Sequence, residues 1–218
     1  MKSYQYDLLK TCIQQNILEF GEFKLKSGRL SPYFFNAGLF NNGQLLNQIA
    51  SSYASLIHEN IKQEFMLYGP AYKGIPLAAS TACKLVDNYD INIEYAFNRK
   101  EEKDHGEGGS IIGASLKGNV VVIDDVITAG TSVSESIDTI HAHGAKLHAI
   151  VVALDRQEKI DDEGLSSIQK IEKEYNVAVY PLIKLDDLIE YMQAIPGYQS
   201  DIIKIEQYRK QYGIGRVD

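Results

Sequence analysis

Asp124 and Asp125 stand at the end of the apolar run Val120-Val121-Val122-Ile123. They are followed by Val126-Ile127-Thr128-Ala129-Gly130-Thr131-Ser132. The run has the β-branched composition of a buried strand. The small and hydroxyl residues after it suit a tight loop that opens a helix. Backbone N–H groups in such a loop, with the positive end of the helix dipole, form a site for a phosphate. Thr128, Thr131 and Ser132 can add hydroxyl donors. A phosphate cradle does not need two acids in front of it. Ionised Asp124 and Asp125 suit the vicinal hydroxyls of a ribose, from which they accept hydrogen bonds, and they favour a nearby positive charge. The plainer alternative is a helix cap at Thr131 or Ser132 behind two solvated acids. The coincidence of strand, acid pair, small loop and helix start argues against it. The segment is neither a Walker loop nor a Gly-x-Gly-x-x-Gly dinucleotide fingerprint.

Further candidates lie elsewhere. Lys26 and Lys73 each follow a short strand or turn, a setting in which a lone lysine is usually solvated. The stretch 99–105 sums to zero charge, with Arg99, Lys100 and Lys103 against Glu101, Glu102 and Asp104. It offers no uniform basic patch, but its ordering can turn Arg99, Lys103 and His105 toward an anion. Gly106, Gly108 and Gly109 supply hinge-like freedom at its end. Phe34 and Phe35 are adjacent, so in a strand they face opposite sides and one of them suits the core. His58, His141, His143 and His148 lack the spacing of a metal site and read as capping or surface groups. Cys12 and Cys83 read as small buried hydrophobes.

The elements that must position these groups follow from periodicity. Residues 4–20 read as a helix stopped by Gly21. A strand at 23–26, a turn at Ser27-Gly28-Arg29 and a return strand at 33–36 follow, then a helix over 44–62. From Phe65 short apolar strands (65–68, 93–97, 120–123, 147–154, 177–182) alternate with helices (75–86, 132–143, 162–175). Two more helices, 185–194 and 199–212, close the chain. This rhythm predicts an α/β fold, a mostly parallel sheet flanked by helices. The expected division is a small N-terminal hood lobe over 1–62 and a core over 63–182, with the helices of 183–218 packing on either. In such sheets ligands bind beyond the carboxyl ends of the strands. Gly69–Gly74, Asp124–Ser132 and Asp155-Arg156 should therefore converge on one cleft.

The segment 120–132 resembles the ribose-phosphate signature of the type I phosphoribosyltransferases. Four more segments resemble the orotate phosphoribosyltransferases, in family order: Phe23–Asn36, Tyr68-Gly69-Pro70-Ala71-Tyr72-Lys73-Gly74-Ile75-Pro76, Asn98–Gly109 and Leu154-Asp155-Arg156-Gln157-Glu158. The resemblance implies the type I phosphoribosyltransferase fold. It also implies Mg²⁺-dependent transfer of ribose 5-phosphate from 5-phosphoribosyl-1-diphosphate (PRPP) to N1 of orotate, giving orotidine 5′-monophosphate and diphosphate in pyrimidine biosynthesis. It assigns PRPP to Lys26, Tyr72, Lys73, Arg99, Lys100, Lys103, His105 and the run Asp124, Asp125, Val126, Ile127, Thr128, Ala129, Gly130, Thr131 and Ser132. It assigns orotate to Lys26, Phe34, Phe35, Thr128 and Arg156, with Arg156 forking onto the orotate carboxylate. Lys103, His105 and Asp125 take the catalytic roles. The Mg²⁺ is expected to be held mainly by substrate oxygens and water. A homodimer is implied, with the mobile loop 99–109 closing over the neighbouring subunit's site. Lys103→Ala is then expected to lower turnover far more than it weakens orotate binding, which steady-state rates at saturating orotate will read.

Charge and composition narrow the alternatives. The balance of 22 basic and 29 acidic residues, net −7, argues against broad binding of nucleic acid or anionic membranes. The longest apolar runs fall far short of a membrane span. Asp7, Lys10 and Glu19 near the N-terminus do not suit a secretory leader, and a cytoplasmic enzyme is expected. A phosphoribosyltransferase for another base would keep 120–132 without needing 23–36 or Arg156. A PRPP-sensing regulator would need a basic DNA-reading module. A fused decarboxylase barrel is not expected, since about 60 residues after Arg156 fall far short of its ~250.

Overall fold

The computed structural model describes residues 1–100, 110–127, 131–160 and 163–214. Helix α1 (Ser3–Gln14) leads into strand β1 (Leu18–Lys24), which pairs antiparallel with β2 (Leu30–Phe35) as a separate two-stranded ribbon. Helix α2 (Gly43–Asn60) follows, capped by the Asn42 side chain accepting from the Leu45 N–H. Then come β3 (Met66–Gly69), α3 (Gly74–Tyr89), β4 (Tyr95–Asn98), β5 (Ile111–Gly113), β6 (Asn119–Asp124) and α4 (Thr131–Ala142). The chain continues with β7 (Lys146–Asp155), α5 (Ser167–Tyr175), β8 (Ala178–Lys184), α6 (Leu185–Ala194) and α7 (Gln199–Tyr212).

Strands β3 to β8 form one six-stranded sheet in the order β5-β4-β3-β6-β7-β8. All pairings are parallel except that of β5 with β4. Strand β8 is an edge and contains Pro181, opposite Val152. The parallel strands are buried on both faces, which accounts for their near-continuous apolar sequences. Leu67, Val121, Ile123 and Val151 face an apolar cluster shared with α1, α2, α3 and α6. Met66, Tyr68, Val120, Val122, Ile150 and Val152 face the opposite cluster, completed by Val133, Ile137 and Ile140 of α4 and Ile168 and Ile171 of α5. This is the two-residue side-chain period of a strand read through two helix layers.

Successive strands run from β3 outward to β4 and β5, then return to β6 on the other side of β3. The order therefore reverses between β3 and β6, where an open α/β sheet leaves a crevice beyond its carboxyl ends.

Several boundaries differ from those expected. The helix expected over 4–20 ends at Gln14, and Asn16 adopts a positive φ of 54°. Ile17 and Phe20 satisfy helical spacing, but pairing with β2 wins and Gly21 lies inside β1. Strand β5 is too short to announce itself. Cys83 is exposed, whereas Cys12 is buried as expected. Helices α1 and α2, which fall inside the expected lobe 1–62, share the apolar cluster of the main sheet, so packing shows no break at residue 62. The C-terminal helices divide: α6 packs on β8 and α7 on β2.

Candidate functional site

The crevice between β3 and β6 is built by close backbone approach. A Cβ on Gly69 would lie 2.1 Å from the Gly74 carbonyl oxygen, and one on Gly74 would lie 2.9 Å from that of Ile123. Glycine at both positions lets the turn 70–73 fold down beside the tip of β6. There Lys73 Nζ meets Asp125 Oδ2 at 2.6 Å. Asn98, at the end of β4, accepts the Ala71 N–H through Oδ1 at 2.8 Å. The Lys100 ammonium lies 5.1 Å from the centroid of the Tyr72 ring, which is 68% exposed. Lys73, Tyr72, Arg99, Lys100 and the two acids thus belong to one end of the sheet.

Asp124 and Asp125 are both buried. The Asp125 N–H donates to Asp124 Oδ1 at 2.8 Å. The fully buried Tyr53 of α2 donates its hydroxyl to the Asp124 carbonyl at 2.7 Å. The Asp125 carbonyl accepts the Ala153 N–H at 2.8 Å, tying the tip of β6 to β7. Val126 packs at the edge of one apolar cluster and Ile127 at the edge of the other, so their side chains brace the turn. Any contact they make with an anion would use the backbone. Thr131 and Ser132 open α4.

Burial and the neighbouring Asp125 charge push the Asp124 carboxyl up to about 7 from an ordinary 3.8. Between about pH 4 and 7 the unfolded chain has lost this proton while the folded chain keeps it. Stability is therefore lost progressively as pH rises through that window, and the penalty is constant above it. Asp124→Asn keeps an acceptor for the Asp125 N–H. It is expected to stabilise the protein at pH 8 by roughly 1–3 kcal/mol, the gain fading toward pH 4. Thermal melts from pH 4 to 8 check this. A gain independent of pH would rule out ionisation as its cause.

A second cluster stands at the end of β7. Arg156 Nε and Nη2 both engage Glu158 Oε1, at 2.8 and 2.7 Å, and Nη2 also donates to Ser31 Oγ at 2.9 Å. The guanidinium carbon lies 4.2 Å from the centroid of the buried Tyr33 ring. Ser31, Tyr33 and Phe35 share one face of β2, and Phe35 packs toward the core. Phe34 points to the other face, 38% exposed and stacked on Phe23 at 5.5 Å. The exposed Lys26 lies in the turn that ends at Arg29, and Arg29 Nη1 is 3.7 Å from Glu158 Oε2.

The expected cleft therefore has two described walls, 69–74 with 124–127, and 29–35 with 156–158. Lys103, His105, Thr128, Ala129 and Gly130 lie outside the described residues. Glu158 belongs to the motif segment 154–158, and nothing local in the sequence signals its grip on the Nε–Nη2 edge of Arg156. Ser31, Tyr33 and Tyr53 gave no sequence signal of their own, because each acts through a contact with a distant segment. Asn98 stood beside Arg99 in a quoted segment without an assigned task. Among the described residues no three His, Cys, Asp or Glu side chains gather as a metal site.

A phosphoribosyl transferase domain matches residues 39–182, a range that includes α2 and the whole sheet up to Leu182. An orotate phosphoribosyltransferase of Shewanella oneidensis is 50% identical over 214 residues, covering 98% of this chain and 99% of the relative. One of Photorhabdus laumondii is 49% identical, covering 98% and 100%. The crystal structure of orotate phosphoribosyltransferase from Francisella tularensis has a TM-score of 0.85 at 41% identity, covering 95% of this chain and 99% of that one. UMP synthase of Leishmania donovani shares the fold, with a TM-score of 0.74 at 21% identity over 94% of this chain and 42% of that one. With near full-length identity on both sides, and with the motif segments 68–76, 120–127 and 154–158 meeting at one end of the sheet, the chain belongs to the orotate phosphoribosyltransferase family.

Proposed function

We propose that this chain transfers ribose 5-phosphate from PRPP to N1 of orotate, releasing diphosphate and giving orotidine 5′-monophosphate. The observation that carries the reading is the pairing of Lys73 with Asp125 beside a second, Arg156-centred pocket at the same end of the sheet. The first pocket suits a sugar phosphate and the second a flat carboxylated ring.

The chemistry is chiefly management of charge. As the ribose C1–O bond breaks, positive charge grows on the ring and negative charge on the departing diphosphate. Lys73, Arg99, Lys103 and His105 stabilise that anion, with Lys26, Tyr72 and Lys100 lining its path. Asp124 and Asp125 hold the ribose hydroxyls, and Asp125 lies where it favours the cationic ring. The 5-phosphate lies on the backbone of 126–132 and the start of α4. Orotate N1 attacks C1 as the bond opens, and the N1 proton passes to water or to the departing diphosphate. Arg156 meets the orotate carboxylate, Phe35 supplies the face of the ribbon nearer Arg156, and Lys26 and Thr128 complete the pocket. Phe34, turned to Phe23, braces the ribbon from outside.

The donor set fits a metal carried on the substrate. Two carboxylates, one already paired with an ammonium, cannot fill an octahedral shell, and Mg²⁺ keeps several waters and phosphate oxygens. When bound, Mg²⁺ neutralises charge on the diphosphate. Two subunits share loops 99–109, each loop closing over the other's site, and the enzyme works in the cytoplasm.

Adding PRPP and Mg²⁺ to enzyme and orotate should bleach the ultraviolet absorption of orotate in step with diphosphate release. Adenine, guanine, hypoxanthine and uracil should give none. Turnover of one of those bases with orotate inert would overturn the assignment.

A further inference from the structure

We propose that Glu158 is a positioning residue for the acceptor's carboxylate. It fixes the plane of Arg156 and cancels one of two clustered guanidinium charges, so that the pocket takes a single carboxylate. The inference rests on the acceptor reading above.

The geometry supports this on three counts. First, Glu158 Oε1 bridges Nε and Nη2 of Arg156, while Ser31 accepts from Nη2 and Tyr33 lies under the guanidinium at 4.2 Å. A planar cation stacked on a ring and held along one edge has little rotational freedom left. Second, the charges count to an excess. Arg29 and Arg156, with side chains 26% and 21% exposed, face Glu158, which is 12% exposed. Among these three side chains, two positive charges and one negative leave one positive charge in a half-buried cluster, the complement of a monocarboxylate. Removing Glu158 would leave two neighbouring cations that repel each other.

Third, Glu158 is itself held from the C-terminal side. Gly213 bridges to Glu158 through the backbone, the Lys159 N–H donates to the Tyr212 carbonyl at 2.8 Å, and the Ile214 N–H donates to the Gln157 carbonyl at 2.9 Å. The Arg29 guanidinium sits 4.8 Å from the centroid of the Tyr212 ring. The end of α7 thus clasps the segment that carries Glu158.

The same contact admits an opposite reading, in which Glu158 competes with substrate for Arg156. The two differ in sign. Steady-state kinetics should vary orotate and PRPP separately for the parent, Glu158→Ala and Glu158→Gln, with thermal melts alongside. Glu158→Ala should raise the orotate KM about 10- to 100-fold, with kcat and the PRPP KM within threefold of the parent. Glu158→Gln, which keeps the acceptor oxygen but not the charge, should recover only part of the loss, the recovered part reading the fixed plane of Arg156 and the remainder the cancelled charge. An unchanged or lowered orotate KM in Glu158→Ala, or a lowered kcat with both KM values raised alike and a lowered melting temperature, would overturn the proposal. A parent enzyme that does not turn over orotate would defeat the acceptor reading itself, and this inference with it.

Discussion

Lys73→Ala is expected to lower kcat/KM for PRPP by about 10²- to 10³-fold, the cost of one well-placed electrostatic contact, roughly 3–4 kcal/mol. The side chain is 55% exposed, yet its ammonium is held 2.6 Å from Asp125 at the edge of α3. It is therefore pre-placed beside the ribose-binding acids and free to turn to an incoming diphosphate. Its loss acts twice. The departing anion loses a cation, and the acid pair loses the charge that offsets its burial. Lys73 works to lower the Asp124 carboxyl, so its removal should move the acid limb of the pH–rate profile to higher pH. Lys73→Arg should keep the direction of that limb while losing part of the rate. Initial rates across pH 6–9 measure both effects. Activity within threefold of the parent would remove Lys73 from the site.

The second large effect falls on the fold. Gly69→Ala should destabilise the protein by at least about 3 kcal/mol, a fall of roughly 6–12 °C in melting temperature for a chain of this size. The added Cβ would meet the Gly74 carbonyl oxygen at 2.1 Å and the Ala78 Cβ at 2.8 Å. Backbone on one side and a buried helix on the other cannot yield as a flexible side chain would. Relief must push the 70–73 turn outward, separating Lys73 from Asp125, so activity should fall with stability. Gly43→Ala is the control, since Gly43 opens α2 with nothing within 4 Å of its added Cβ. Calorimetry of both variants settles the point. A Gly69→Ala protein that melts with the parent would mean that β3 and α3 do not approach this closely in solution.

Local signals in the chain anticipated some parts of this arrangement and not others. Helices α6 and α7 lie where the pattern put them, because Ile195-Pro196-Gly197 separates two stretches of good helix formers. Strands β6 and β7 were equally plain, since runs of β-branched residues buried on both faces leave no competing period. The approach of Gly69–Gly74 to the tip of β6 was implied by strand ends rich in glycine and acid, whereas the strand order that brings them together was not. What stayed hidden depends on partners far along the chain. The Arg156–Ser31 bond spans 125 residues, and neither residue type predicts the other. Ile17 and Phe20 fit a helix until β2 and Asn36 are present to pair with them. Cys83 sits on a helix whose apolar face is defined by Leu77, Ala78, Ala82 and Leu85, and it falls just outside that face.

Pro181 in β8 has a consequence for how copies of the chain can assemble. An outer strand offers its bare amides to any neighbour, and proline withdraws one of them in the middle of the row. The opposite border is guarded by brevity: β5 has three residues and ends in Gly113 at a φ of +97°. Neither border is a good template for stitching a second sheet alongside. Copies of this chain that associate should therefore meet through helices and loops, and crowding of partly unfolded chains should find few ribbons to zip onto.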